Sequence, residues 1–194
     1  MKSIILASTS EFRQTLLKKL GLPFLAVPPN IDESPILHES AQELVMRLAH
    51  AKAAALANQY PQHLIIGSDQ VCVIDGKIVG KPHSFDNAFK QLQAASGNKI
   101  TFYTGLCLLD TEIGKFDVQC ELFDVYFRQL TDDEITHYLH KEEPFQCAGS
   151  FKSEGLGIAL FERLEGRDPN TLIGLPIILL LEMLRKCGVN PLSD

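Results

Sequence analysis

Residues 63–74, His63-Leu64-Ile65-Ile66-Gly67-Ser68-Asp69-Gln70-Val71-Cys72-Val73-Ile74, form an apolar run that ends on Asp75-Gly76. A run rich in β-branched residues, closed by a dipeptide suited to positive φ at both turn positions, predicts a strand and a hairpin return over 77–81. The turn fixes the register: Ile74 pairs with Lys77, Val73 with Ile78, Cys72 with Val79, and Gln70 falls opposite Lys81. A strand that reads as buried therefore carries the acid Asp69, and the register gathers an acid, an amide and an ammonium at one strand end. Regular pleating puts Lys81 on the face of Gln70 rather than that of Asp69. A bulge, a strong twist or a strand end near residues 69–70 is needed for both to reach one cleft.

The rest of the chain alternates strand and helix signals. Ile4 to Ala7 reads as a buried strand, and Ser8-Thr9-Ser10-Glu11 offers two helix N-caps, with Ser8 and Glu11 spaced as a capping box. That helix runs to Leu20 and stops at Gly21. Residues 22–38, with Pro23, Pro28, Pro29, Pro35 and the acidic pair Asp32-Glu33, read as a long loop. A second helix starts at Ser40, whose Glu43 completes a capping box, and continues through Ala57. A helix from Ser84 to Ser96 is closed by Gly97. Strand 99–109 then turns at 111–114 and returns through 116–128, with Phe123, Val125 and Phe127 on one face. Thr131 and Glu134 form a third capping box, opening a helix that ends before Pro144. Strand 158–163 leads to a turn at 165–170, and a final helix starts with Pro176 at its first position and ends at Gly188. Interleaved strands and helices with two hairpins predict an α/β protein with a mixed β-sheet and flanking helices, in one domain over residues 1–194.

Composition narrows the function. The chain has 194 residues, 45% hydrophobic and 22% charged, and a net charge of −6. That charge argues against broad nucleic-acid or membrane-surface binding, so an anionic ligand has to be met by a local cluster of cations or a metal. The run Leu175 to Leu184 is interrupted by Pro176 and Glu182 and is too short to span a bilayer, and the N-terminal apolar run is too short for a signal peptide, so the protein is expected to be cytoplasmic. Cys72, Cys107, Cys120, Cys147 and Cys187 are scattered without metal-binding spacing and are expected to be free core thiols.

Several residues could carry chemistry. Ser8-Thr9-Ser10 lies between a strand end and a helix start, where free backbone N–H groups favour an anion, and Arg13 adds a further donor; plain N-capping with a surface arginine is the alternative. Neither G-x-x-x-x-G-K-[ST] nor G-x-G-x-x-G occurs after a strand. In the second helix Ala41, Val45, Leu48, Lys52 and Ala55 share one stripe, which puts an ammonium on a face that should be buried. Lys52 is expected to snorkel to solvent, or else to meet a carboxylate or phosphate. Glu33 and Asp69 are candidate ligands for a hard divalent cation, Mg²⁺ or Mn²⁺. The histidines are scattered and define no triad.

Taken together, Leu6-Ala7-Ser8-Thr9-Ser10 with Arg13, Asp32-Glu33, the lysine of Ala51-Lys52-Ala53, Gly67-Ser68-Asp69-Gln70-Val71, Gly80-Lys81-Pro82 and Gly174-Leu175-Pro176 resemble the Maf family of nucleoside triphosphate pyrophosphatases, nearly end to end. The resemblance implies a mixed sheet in two lobes around a central cleft, as in Maf and ITPase-like folds. It also implies a divalent metal and hydrolysis of a nucleoside triphosphate to the monophosphate and pyrophosphate. Carried over by position, Asp69 is the proton acceptor, Ser8, Arg13, Lys52 and Lys81 hold the triphosphate, and Glu33 assists the metal. The chain departs from the Ser-Pro-Arg-Arg form of the first motif, having Ser10-Glu11-Phe12-Arg13. The set Phe12, Gln70 and Glu154 resembles the branch that hydrolyses 7-methyl-GTP, removing non-standard nucleotides, whereas arginine, threonine and glutamine stand at these positions in the pyrimidine-selective branch. A dTTP or UTP pyrophosphatase and a nucleotide-binding regulator of cell division are the alternatives. The implied partner is a small nucleotide, with no nucleic acid and no membrane, and a homodimer is compatible with the resemblance.

Overall fold

The computed structural model describes residues 2–193, and the chain divides into two compact units. The first comprises the residues up to Asp69, Thr104–Glu121 and the chain from Gly174 on; the second comprises Gln70–Tyr103 and Leu122–Ile173. Seven strands have the hydrogen-bonded order β2-β1-β3-β5-β6-β7 with β4 on β3, so the sheet is mixed, as the two hairpin signals predict. In chain order these are β1 (Ser3–Leu6), β2 (Phe24–Ala26), β3 (His63–Ile74), β4 (Lys77–Val79), β5 (Lys99–Asp110), β6 (Lys115–Phe127) and β7 (Phe161–Glu165). Among the described residues no helix is long and apolar enough to cross a membrane.

In the first unit β1 runs parallel to both neighbours, with Leu6 opposite Ala26 on β2 and opposite Ile66 on β3. Strand β2 lies inside the segment read above as a loop. Its few residues are flanked by prolines, and only the non-local ladder with β1 reveals it. Helix α1 (Glu11–Lys18) is capped by Ser10, which accepts from the Arg13 N–H; the Ser8–Glu11 capping box does not form. Helix α2 (Ala41–Ala54) carries the capping box of Ser40 and Glu43 in full. Its buried stripe is Leu44, Val45, Leu48, Ala49, Lys52 and Ala53, while Ala55 is exposed. The core beneath it joins Ile5, Ala7, Ala49, Ala53, Ile65 and Cys107. Helix α2 approaches the sheet so closely that a Cβ on Gly67 of β3 would fall inside the Ala49 carbonyl, and one on Gly105 of β5 inside the Val45 carbonyl. Helix α6, Ile177–Lys186, belongs to this unit, with Pro176 at its N-cap rather than at its first position.

The second unit contains the predicted hairpin. Asp75 and Gly76 have φ of 49° and 70°, and the ladder pairs Ile74 with Lys77, Val73 with Ile78 and Cys72 with Val79. It stops there. The expected Gln70–Lys81 pair is not made: β4 ends at Val79, and the Gln70 amide donates instead to the carbonyls of Thr171 and Leu172, at 2.8 and 3.3 Å. Helices α3 (Phe85–Ala95), α4 (Asp132–Glu142) and the short α5 (Pro169–Ile173) complete the unit with β7. Thr131 and Glu134 form the capping box of α4. Strand β7 starts at Phe161 rather than at 158, because residues 156–160 wind into a 3₁₀ turn whose Ala159 and Leu160 carbonyls accept from Arg128. The core is aromatic: Phe102, Phe123, Phe127 and Phe151 are each at most 5% exposed.

Candidate active site

The first unit builds a cationic and acidic cluster from four pieces of chain. Gly67 and Gly105 let the backbone of α2 lie against the sheet, which sets Lys52 above the strand segment Ser68-Asp69. Lys52 Nζ donates to Asp69 Oδ1 and to Glu33 Oε2, at 2.7 Å in each case. Lys52 is 5% exposed and Asp69 7%. The snorkelling expected for Lys52 is therefore wrong: its stem is walled in by the close helix–strand contact, and burial of the ammonium is tolerable because two carboxylates receive it. Asp69 is correspondingly ion-paired, and its second oxygen, Oδ2, makes no hydrogen bond among the described residues.

Glu33 reaches Lys52 from an exposed loop that α2 itself braces. Arg47 grips Glu39 through Nε and Nη2, at 2.6 and 2.8 Å, and also donates to the Ser34 carbonyl. That guanidinium holds the Glu39 carboxyl below the usual range. The Asp32 side chain accepts from the Ser34 N–H at 2.9 Å, turning the chain so that Glu33 projects to Lys52.

The segment after β1 supplies donors. Ala7 N–H extends the parallel ladder to the Ile66 carbonyl at 2.8 Å, and the chain then leaves the sheet, the Ser8 hydroxyl accepting from the Ser10 N–H at 3.1 Å. In the order β2-β1-β3 the outgoing connection of β1 leads one way and β3 continues the other, the arrangement at which open α/β sheets place ligands beyond the strand ends. Ser8 is buried there, before the N-terminus of α1. Arg13, on the first turn of that helix, donates from Nε to the Gly174 carbonyl at 2.8 Å, and the Ser68 hydroxyl donates to the same oxygen at 3.1 Å. Burial pushes the Arg13 guanidinium down, while Asp69 and Glu33 pull it back up. Phe12, beside it, is 40% exposed.

The structure thus brings Glu33, Arg13, Lys52 and Asp69 together electrostatically in one unit, with Ser8 at the strand end beside them. Lys81, Gln70 and Glu154 belong to the second unit. Lys81 and Glu154 are exposed, and both influence Cys147: burial and then Glu154 push that thiol up, while Lys152 and Lys81 pull it down. All five cysteines are free; Cys72 and Cys107 are buried, and the other three are half-buried. Sequence reasoning missed the pairing of Lys52 with Asp69, the close approach at Gly67 and Gly105, and the shared Gly174 carbonyl. Gly67, inside an apolar strand and two residues before an acid, was the available signal for the second of these.

Residues 3–187 match the Maf-like protein family. The chain belongs to that family. Its fold resembles that of the Staphylococcus aureus Ham1 protein, with 16% identity, coverage of 95% of this chain and 99% of that one, and a TM-score of 0.54. A HAM1 protein from Coxiella burnetii matches over 66% of this chain and 73% of its own, at 15% identity and a TM-score of 0.42.

In this Maf-like chain the hard oxygen donors gathered at the site are two carboxylates, Glu33 and Asp69. Among the described residues no group of three or more His, Cys, Asp or Glu is placed to hold a metal. Glu33 and Asp69 nevertheless converge on one positive charge, Lys52 Nζ. Two carboxylates completed by substrate phosphates and water are a usual set for Mg²⁺.

Proposed function

We propose that this Maf-like chain is a nucleoside triphosphate pyrophosphatase acting on 7-methyl-GTP, which it cleaves to 7-methyl-GMP and pyrophosphate, so removing a non-standard nucleotide. The observation that carries the reading is the buried Asp69 carboxylate, fixed through Oδ1 by Lys52 with Oδ2 uncommitted. A polyphosphate binder needs cations, but it has no need of a carboxylate held among them; a hydrolase needs a group to accept a proton from water.

Ser8, the N-terminal N–H groups of α1, Arg13 and Lys52 supply the local positive environment that the chain's net charge of −6 makes necessary. Glu33 and Asp69 would hold Mg²⁺ or Mn²⁺, which when bound draws charge from phosphate oxygens. Asp69 Oδ2 accepts a proton from the water that attacks the α-phosphorus. The bond from that phosphorus to the bridging oxygen breaks, and pyrophosphate leaves with the electron pair. Lys52 keeps its hold on Asp69 Oδ1 and has a third N–H for a phosphate oxygen, where a fixed ammonium favours the charge that develops. Lys81 keeps the phosphate-binding role that the family resemblance implies for it, and Gln70 keeps its role in base selection. Methylation at N7 gives guanine a positive charge that the exposed face of Phe12 can stabilise by about 0.5–2 kcal/mol. The exposed Glu154 carboxylate can accept from the N1–H and N2–H₂ donors of guanine.

The test is pyrophosphate release with Mg²⁺ from 7-methyl-GTP, dTTP and UTP in parallel. The expected outcome is the highest kcat/KM for 7-methyl-GTP, with the combined Phe12→Arg and Glu154→Gln variant shifted toward dTTP and UTP. A wild-type preference for dTTP or UTP would overturn the base assignment and leave the reaction intact. Tight triphosphate binding with no pyrophosphate released would favour a nucleotide-responsive regulator.

A further inference from the structure

The motif Gly174-Leu175-Pro176 has no chemistry of its own, yet the Gly174 carbonyl is the meeting point of two side chains from the site. Arg13 Nε and Ser68 Oγ both donate to it, at 2.8 and 3.1 Å, which fills both lone pairs of one oxygen. Ser68 is fully buried and has nowhere else to turn. Gly174 has a φ of 120°, a backbone conformation that side-chain-bearing residues rarely adopt. The fully buried Leu175 and the N-cap Pro176 then anchor the segment to α6. The carbonyl is therefore held from both sides: by the chain that carries it and by a buried hydroxyl.

This fixed acceptor has a geometric consequence for Arg13. A guanidinium can grip a phosphate side-on, with Nε and one terminal nitrogen, or end-on, with both terminal nitrogens. With Nε committed, only the end-on fork is left, and the terminal nitrogens make no hydrogen bond among the described residues. We propose that the Gly174 carbonyl, braced by Ser68, is the positioning element that compels Arg13 to meet a phosphate group end-on. Ser68 is then a positioning residue that acts through Arg13 and does not itself touch the ligand. This inference rests on the triphosphate-binding role given to Arg13 above.

The test uses inorganic tripolyphosphate as the probe and equilibrium binding as the readout, so that it does not depend on turnover. Ser68→Ala removes one of two hydrogen bonds to the carbonyl and is expected to weaken binding about 3- to 10-fold. Arg13→Ala weakens it further, and in the Arg13→Ala background the Ser68→Ala change has no additional effect, because its action is transmitted only through the arginine. Additive effects of the two changes would assign Ser68 a merely structural role and overturn the inference while leaving Arg13 as a ligand. Absence of tripolyphosphate binding by the wild-type chain, or binding insensitive to Arg13→Ala, would remove the phosphate role of Arg13 and this inference with it. A second measurement needs no variant. The Arg13 Nε–H resonance is expected to be protected from exchange with and without tripolyphosphate; loss of protection or a large shift on binding would show side-on contact and contradict the proposal.

Discussion

The cores of the two units are built in opposite ways. Beneath α2 the first unit packs Ala7, Ala49 and Ala53 with Gly67 and Gly105, so that helix backbone lies directly on strand backbone. In the second unit, Phe102, Phe127, Phe151 and Phe161 meet edge to face, with ring centroids 4.8–5.6 Å apart. A backbone-on-backbone contact has no rotamers with which to absorb an added atom, whereas an aromatic cluster can repack around a changed ring. The unyielding contact is the one that carries Lys52 to Asp69. The price of that placement is intolerance to even one methyl group.

Four substitutions break or sharpen this contrast. The largest effect is expected from Gly67→Ala, whose methyl meets the Ala49 carbonyl. It should cost at least about 3 kcal/mol in denaturant unfolding, the upper range for overpacking, and abolish pyrophosphate release by lifting Lys52 from Asp69. Wild-type stability in this variant would remove the basis of the comparison. Next, Lys52→Met leaves Asp69 buried without its cation and should cost about 3 kcal/mol. Millimolar Mg²⁺ should raise the Tm of this variant more than that of the wild type, since the ion then replaces the lost charge. In the second unit, Phe151→Leu should cost about 1–2 kcal/mol and leave activity within a few fold, because the surrounding rings can close in. A larger loss than that of Gly67→Ala would invert the contrast.

The smallest effect concerns the exposed start of α4, at the edge of the second unit's core. Glu134→Gln keeps the length of the side chain that closes the α4 capping box but removes its charge, and should lower Tm by about 1–3 °C at neutral pH. Backbone donation from Thr131, with Arg128 adding to it, holds the Glu134 carboxyl below its ordinary value. A depressed folded-state value means that the stabilisation is complete above the unfolded carboxyl range near ~4.3 and is lost as pH falls through the lower folded value. The difference between wild type and variant should therefore shrink below about pH 4. A constant difference down to pH 2 would show that the Glu134 carboxylate takes no part in the cap.

Much of the fold was legible because local chemistry decides it. The Asp75-Gly76 turn set the β3–β4 register, the capping boxes at Ser40 and Thr131 opened α2 and α4, and the alternation of Phe123, Val125 and Phe127 gave the buried face of β6. What escaped was non-local. Strand β2 exists through its ladder with β1, the 3₁₀ turn before β7 is held by Arg128, and Gln70 turns to the Thr171 and Leu172 carbonyls rather than to Lys81. The site shows the same division. Lys52 was identifiable as an ammonium on a buried stripe, but its partner was not, because helical periodicity says which face is buried and not how near the helix comes to the strand. That distance is set by two glycines on neighbouring strands, Gly67 and Gly105.

The central claim is that Asp69, aligned by Lys52, accepts the proton from the attacking water. The most direct measurement is pyrophosphate release from 7-methyl-GTP by the Asp69→Asn variant, which keeps the shape of the side chain and removes its basicity. The account predicts a wild-type circular-dichroism spectrum, retained tripolyphosphate binding and turnover reduced by about 10²-fold or more. Release of pyrophosphate at the wild-type rate by this variant would contradict it.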